Sequence, residues 1–329
     1  MLQSLLAEGR PLLADGATGT NLFAMGLTSG DSPEIWNAAH PERIESLHRA
    51  FVDAGADIVL TNSFGANRRR LMLHGLEARA RELNRLAAQN ARKAADAAGR
   101  PVVVAGSVGP TGDLLAPLGP LSEDEAVDVF IEQMEGLREG GADIAWIETM
   151  SAVEEIRAAA RAAAKCGMAF TITASFDTAG RTMMGVAPAA FVALVEGFDS
   201  APIAYGANCG VGASDLLAAI LAMSAARPGA PLIAKANAGV PQWHGTHIHY
   251  SGTPELMATY AGLAVDCGAA IVGGCCGNTP IHVAAMRRGL DAHKAGARPD
   301  VEAIVAALGP LAAPPAAEPA ERTRRRGRA

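Results

Sequence analysis

The feature that most constrains this chain is an alternation. Eight short β-like runs, at 12–16, 57–62, 102–107, 143–148, 170–175, 202–207, 231–237 and 270–275, are separated by longer stretches rich in Ala, Leu, Glu and Arg. These stretches are built from good helix formers. Three of them end in Gly-Ala before the next run, at Gly55-Ala56, Gly141-Ala142 and Gly268-Ala269. Glycine there fits a helix C-terminal cap that leads into a strand. Another opens on Ser122-Glu123-Asp124-Glu125, a capping-box pattern. Strands alternating with helices form a parallel sheet covered on both faces. Eight such units in roughly 300 residues predict an α/β fold of the (β/α)8 TIM-barrel type. An open doubly wound sheet is the alternative, but no G-x-G-x-x-G follows the first run.

The barrel is expected over 1–310. From Leu311 onward the chain changes: Ala313-Pro314-Pro315-Ala316-Ala317 and the arginine-rich stretch 322–328 have no apolar period. This predicts a disordered tail over 311–329. Half of the 329 residues are apolar, enough for a large core, and the formal charge is 28 − 34 = −6. An acidic body argues against a nucleic-acid surface. No apolar stretch approaches the ~20 residues that span a bilayer, so no membrane segment is expected. The first eight residues do not read as an export leader, and the cysteines number five. A reducing cytoplasm is the expected setting, with thiols serving metal or packing.

The runs end in polar, thiol or glycine residues, and in this fold the strand C-termini form the mouth that carries the chemistry. Cys209 ends the sixth run, and Cys275-Cys276 end the eighth within Gly273-Gly274-Cys275-Cys276-Gly277. Three thiols at one mouth can hold zinc and leave its fourth position open. Adjacent strand residues point to opposite faces, so the strand must break at Cys275-Cys276. Gly273, Gly274 and Gly277 are expected to supply that freedom. Buried packing residues or a vicinal disulfide are the other readings. Cys166 and Cys267, each before Gly at a helix end, are expected to be ordinary buried thiols.

Asp-Gly-Ala-Thr-Gly-Thr at 15–20, Asn-Cys-Gly at 208–210 and Gly-Gly-Cys-Cys-Gly at 273–277 resemble the homocysteine S-methyltransferase family over about residues 10–293. That family includes betaine–homocysteine methyltransferase and the homocysteine domain of methionine synthase. The resemblance implies a barrel with Zn2+ on Cys209, Cys275 and Cys276, and methyl transfer to L-homocysteine. It also implies that Asp15 and Glu148 bind the ammonium group. The turn Gly16-Ala17-Thr18-Gly19 offers N–H groups for the carboxylate, and Ser175 a hydroxyl. An alternative for Asp15 is a turn cap. A homo-oligomer is a further expectation from the resemblance.

The donor is expected to be a small onium compound, glycine betaine first. S-methylmethionine, dimethylsulfoniopropionate and a methylated corrinoid protein are rivals within the class. Onium groups bind aromatic faces, so Trp36, Phe64, Phe176 and Trp243 are the candidate cage. Two departures touch the donor side. Glu148-Thr149 stands where animal betaine enzymes have Glu-Tyr, and Trp36 is displaced from their Pro-Trp loop. The polar loop 242–250 is read as a surface connection. Two other classes fit parts of the sequence: a Schiff-base lyase with Lys235 as nucleophile, and a zinc-stabilised scaffold without catalysis.

Overall fold

The computed structural model describes residues 1–239, 241–244 and 247–312, with side chains described outside 241–249. The residues 313–329 of the expected tail, and the side chain of Trp243, lie outside this description.

The strands are β1 (Leu12–Leu13), β2 (Ile58–Leu60), β3 (Val103–Val108), β4 (Ile144–Met150), β5 (Phe170–Ala174), β6 (Ala204–Cys209), β7 (Leu232–Ala236), β8 (Pro241–His244), β9 (His247–Tyr250) and β10 (Ala269–Gly274). Eight of them form one parallel sheet in the order β1-β10-β7-β6-β5-β4-β3-β2. A parallel bridge between Ala14 and Ile58 joins its two ends. Asp57 N–H donates to the Leu13 carbonyl at 2.7 Å, and Asp15 N–H to the Ile58 carbonyl at 3.0 Å. The sheet therefore closes into a (β/α)8 barrel, and each expected run overlaps one of its strands. The loop at 242–250 differs from expectation: β8 and β9 pair as an antiparallel hairpin.

The period of two along each strand sorts the core. Leu12, Ala14, Ile58, Leu60, Val103, Ala105, Ile144, Trp146, Ile233 and Ile271 form the interior cluster, plugged by Leu2 and Leu5 of the first helix, Leu2–Leu6. The alternate residues Leu13, Val59, Val104, Ala145, Ile147, Phe170 and Ile172 pack outward against the helices. Burying a Leu, Ile or Val side chain contributes roughly 1.5–3 kcal/mol, so both faces drive closure. One step further up the interior rows, the same period delivers Ser107, Glu148, Thr173, Asn208 and Lys235, all buried. A polar layer thus sits on an apolar plug.

The caps follow the sequence. Ser122 Oγ accepts from Glu125 N–H, and the Glu125 carboxylate accepts from Ser122 N–H at 2.9 Å. Gly55, Gly141 and Gly268 take φ of 98°, 95° and 105°. Cys166 and Cys267 are free thiols at helix C-caps. Among the described residues no helix is long and apolar enough to cross a membrane.

Candidate metal centre and cavity

Strand geometry brings the three distant thiols together. Cys209 is the last residue of β6, with φ 62°, and Gly210 follows at φ 70°. β10 stops at Gly274, so Cys275 and Cys276 lie on the turn beyond it. The break comes from strand ending, and only Gly277 of the three glycines takes a positive φ, 79°. Gly274 serves close approach instead: a Cβ there would lie 2.4 Å from Asn278 Cγ. The three Sγ atoms lie within 4.8 Å of one another. Among the described residues no other His, Cys, Asp or Glu joins this group.

Three asparagines hold the turn in place. Asn237, just after β7, accepts from Cys276 N–H at 3.0 Å and donates to the Gly210 carbonyl at 2.7 Å. It ties the two cysteine loops together. Asn278 donates to the carbonyls of Ala236 at 2.9 Å and Cys275 at 3.1 Å. Asn208 donates to Thr149 Oγ1 at 2.7 Å, and its Oδ1 accepts from Thr149 N–H at 2.8 Å and Thr173 Oγ1 at 2.6 Å. Thr149 also has φ 62°, at a register irregularity between β4 and β5. Strained non-glycine backbone and bulges of this kind cluster at functional sites. In the sequence Asn208 stands out only as part of the Asn-Cys-Gly motif, and Asn237 and Asn278 carry no assigned role. The available signal was nearness to a thiol for Asn208 and Asn278; Asn237 follows β7, a strand without one.

The thiols open into a cavity of about 460 Å³, whose walls include Gly16, Ala17, Thr18, Phe64, Glu148, Thr149 and Lys235. Glu148 is 7% exposed, and its Oε1 accepts from Ser107 Oγ. Burial pushes its carboxyl above the usual carboxylate range. Ala17 N–H is already given to the Asn278 carbonyl at 3.0 Å, while the uncapped first turn of the helix Gly19–Ala24 opens beside it.

Asp15 does not line the cavity. It is 0% exposed, its Oδ2 accepts from Leu60 N–H at 2.7 Å, and its Oδ1 accepts from Lys235 Nζ at 2.9 Å. Lys235 reaches the cavity in its place, with Nζ 5.9 Å from the Trp146 ring centroid. Burial pulls the Lys235 pKa down, but Asp15 and Glu148 outweigh it and the net shift is upward. A lysine held as ammonium is a poor Schiff-base nucleophile.

Three further expectations shift. Ser175 faces an adjoining chamber, with Oγ 3.4 Å from Asp177 Oδ2. Trp36 is buried beneath Arg43 and edge-on to His40, away from the cavity wall. Phe176 is buried edge-on against Phe191. Phe64 alone of the described aromatic candidates lines the cavity.

The donor set fits a metal ion. Contact with Cys275 draws the Cys209 thiol down, but contact with Cys276 and burial raise it to about 12. Crowded thiols of this kind keep their protons unless a cation compensates them, and three sulfurs suit a zinc-like ion with one position left over.

The model of the homocysteine S-methyltransferase family matches residues 12–290. Methionine synthase of Mycobacterium tuberculosis is 33% identical over 292 residues, 83% of this chain and 24% of the relative. Methionine synthase of Mycobacterium leprae is 32% identical over the same shares. The chain thus spans about a quarter of the length of these relatives. Among solved structures, the metallated form of the homocysteine methyltransferase MmuM from Escherichia coli has a TM-score of 0.71 and 29% identity, covering 87% of this chain and 99% of that one. The oxidized form of the same enzyme gives 0.69 and 28%, covering 84% of this chain and 95% of that one. Sequence, barrel and cavity agree: the chain belongs to the homocysteine S-methyltransferase family.

Proposed function

We propose that this chain transfers a methyl group from a small onium donor, glycine betaine first, to the thiol of L-homocysteine, with zinc on Cys209, Cys275 and Cys276. The observation that carries the reading is a cluster of three thiols, with no fourth His, Cys, Asp or Glu among the described residues, opening onto a cavity. A bound zinc supplies the positive charge that keeps an added thiol ionised near neutral pH.

The chain's own residues bind and aim the reactants. Asp15 and Lys235 cancel each other, so Glu148, raised by burial while the site is empty, is the acid that an incoming ammonium would hold ionised. Glu148 is the proposed ammonium partner because its Oε2 makes no hydrogen bond among the described residues. Asp15 acts at one remove, by fixing Lys235. Thr18 and Gly19, at the uncapped helix start, are proposed for the carboxylate. Asn208, Asn237 and Asn278 keep the sulfurs in place, as outer partners of metal ligands do.

In the transfer step the homocysteine sulfur, having released its proton to solvent, forms a new bond to the methyl carbon. The carbon–nitrogen bond of betaine breaks, and its electron pair stays on nitrogen as neutral dimethylglycine amine. Holding sulfur, carbon and nitrogen in line is the main catalytic task. The test is methionine formation by zinc-loaded protein from homocysteine with glycine betaine, S-methylmethionine or dimethylsulfoniopropionate as sole donor. Methionine with its matching demethylated product supports the reading. Failure with all donors, together with no homocysteine binding, would overturn it.

A further inference from the structure

A second chamber of about 360 Å³ adjoins the thiol cavity and shares Phe64 and Thr149 with it. Its other walls include Arg70, Glu155, Asp177 and Met184. Arg70 is the unusual member. It belongs to the short helix Arg68–Leu71, where Arg68 pairs with Glu132 at 2.7 Å and Arg69 with Asp113 at 2.5 Å. The half-buried Arg70 guanidinium makes no hydrogen bond and no ion pair among the described residues, and acts on the Glu155 carboxyl only through space. Its Cζ lies 5.7 Å from the Phe64 ring centroid, and its Nη1 would be 3.7 Å from a Cβ on Gly112. The nearby carboxylate of Glu155 is occupied, accepting from Thr111 N–H and Thr111 Oγ1, each at 2.7 Å.

A half-buried guanidinium that gives up water without gaining a hydrogen-bonded acceptor is a site for an anion. Arg binds carboxylates through two parallel N–H groups, and stacking on an aromatic ring fixes its plane. Phe64, expected as a cage wall for an onium group, has instead a protein cation over its ring. What the ring orders here is therefore an anion receptor.

We propose that this second chamber is the methyl-donor subsite and that Arg70 holds the donor's carboxylate. The onium centre then lies toward Thr149 and Phe64, the boundary with the thiols, and the acids Glu155 and Asp177 balance its positive charge. The ligand class is a zwitterionic onium carboxylate. The inference rests on the methyl-transfer reading above and narrows its donor.

The test uses zinc-loaded, full-length Arg70→Met and Arg70→Lys beside the unaltered protein. Rates are measured with glycine betaine, S-methylmethionine and dimethylsulfoniopropionate, and with tetramethylammonium, an onium that lacks a carboxylate. Homocysteine binding is titrated separately by calorimetry. For Arg70→Met the ratio of kcat/KM on the best carboxylate donor to that on tetramethylammonium falls at least tenfold, through KM, and Arg70→Lys recovers part of it. Homocysteine affinity changes less than twofold. An unchanged ratio overturns the proposal, because a merely structural role weakens both donor kinds alike. Homocysteine binding without turnover on any small onium also overturns it, leaving the acceptor half standing. Loss of homocysteine binding in the unaltered protein instead strikes the methyl-transfer reading itself.

Discussion

Replacing Lys235 with Met tests the buried charge arrangement under the cavity. Lys235 is 1% exposed and Asp15 0%, with 2.9 Å between Nζ and Oδ1. At that separation and an effective dielectric near 20, the attraction is about 6 kcal/mol. Desolvation of both ions offsets much of it, yet removing one partner strands the other charge and typically costs roughly 3–5 kcal/mol. Lys235→Met should therefore lose about 3–5 kcal/mol at neutral pH. Burial raises the Asp15 pKa, and the Lys235 charge works against that rise. Without Lys235 the folded-state pKa climbs further above the unfolded value. Stability is then present at low pH and lost as pH rises toward the folded pKa, so the deficit should grow between pH 4 and pH 8. The double variant Asp15→Asn/Lys235→Met should recover most of the loss at neutral pH. Urea titration followed by far-UV circular dichroism at pH 4.5 and 7.5 measures all three proteins. A deficit below about 1 kcal/mol, or a double variant worse than the single, would refute the reasoning.

Burial holds His48 near a pKa of about 4, and neither ring nitrogen has a partner among the described residues. The unfolded chain takes up that proton first, so stability should fall by about 3 kcal/mol as pH drops from 6.5 to 4, and His48→Leu should abolish this slope in denaturation midpoints. Asn237→Ala unties the two cysteine loops and should weaken zinc binding by roughly 10–100-fold in chelator competition while the barrel stays folded. Cys276→Ser removes one of three sulfurs and should lose most zinc and activity with unchanged circular dichroism. Retained stoichiometric zinc there would sink the three-thiol assignment. Glu148→Gln removes the acid proposed for the ammonium and should raise the KM for homocysteine by roughly 10–100-fold.

The barrel was legible because strand and helix periods alternate without ambiguity, and because capping residues such as Ser122 and Gly141 mark the joints. The thiol cluster was legible because cysteine between glycines at strand ends is rare packing material. Side-chain direction at loop positions was not. Asp15 lies past the end of β1, where the period of two no longer governs, and its turn toward Leu60 and Lys235 depends on barrel closure. Ser175 lies one residue beyond β5 and falls on the far side of the boundary between the chambers. Trp36 illustrates a composition trap: an aromatic expected on a loop instead opens the short helix Trp36–Ala39 and packs under Arg43. Arg70 sits in a run of three arginines, and only tertiary structure reveals which of them has no hydrogen-bonded acid among the described residues.

The most direct test of the central claim is zinc K-edge absorption on the full-length protein, before and after homocysteine. The account predicts three sulfurs and one light atom, becoming four sulfurs when homocysteine is added. Four protein ligands at the outset, or a spectrum unchanged by homocysteine, would contradict an open three-thiol metal centre.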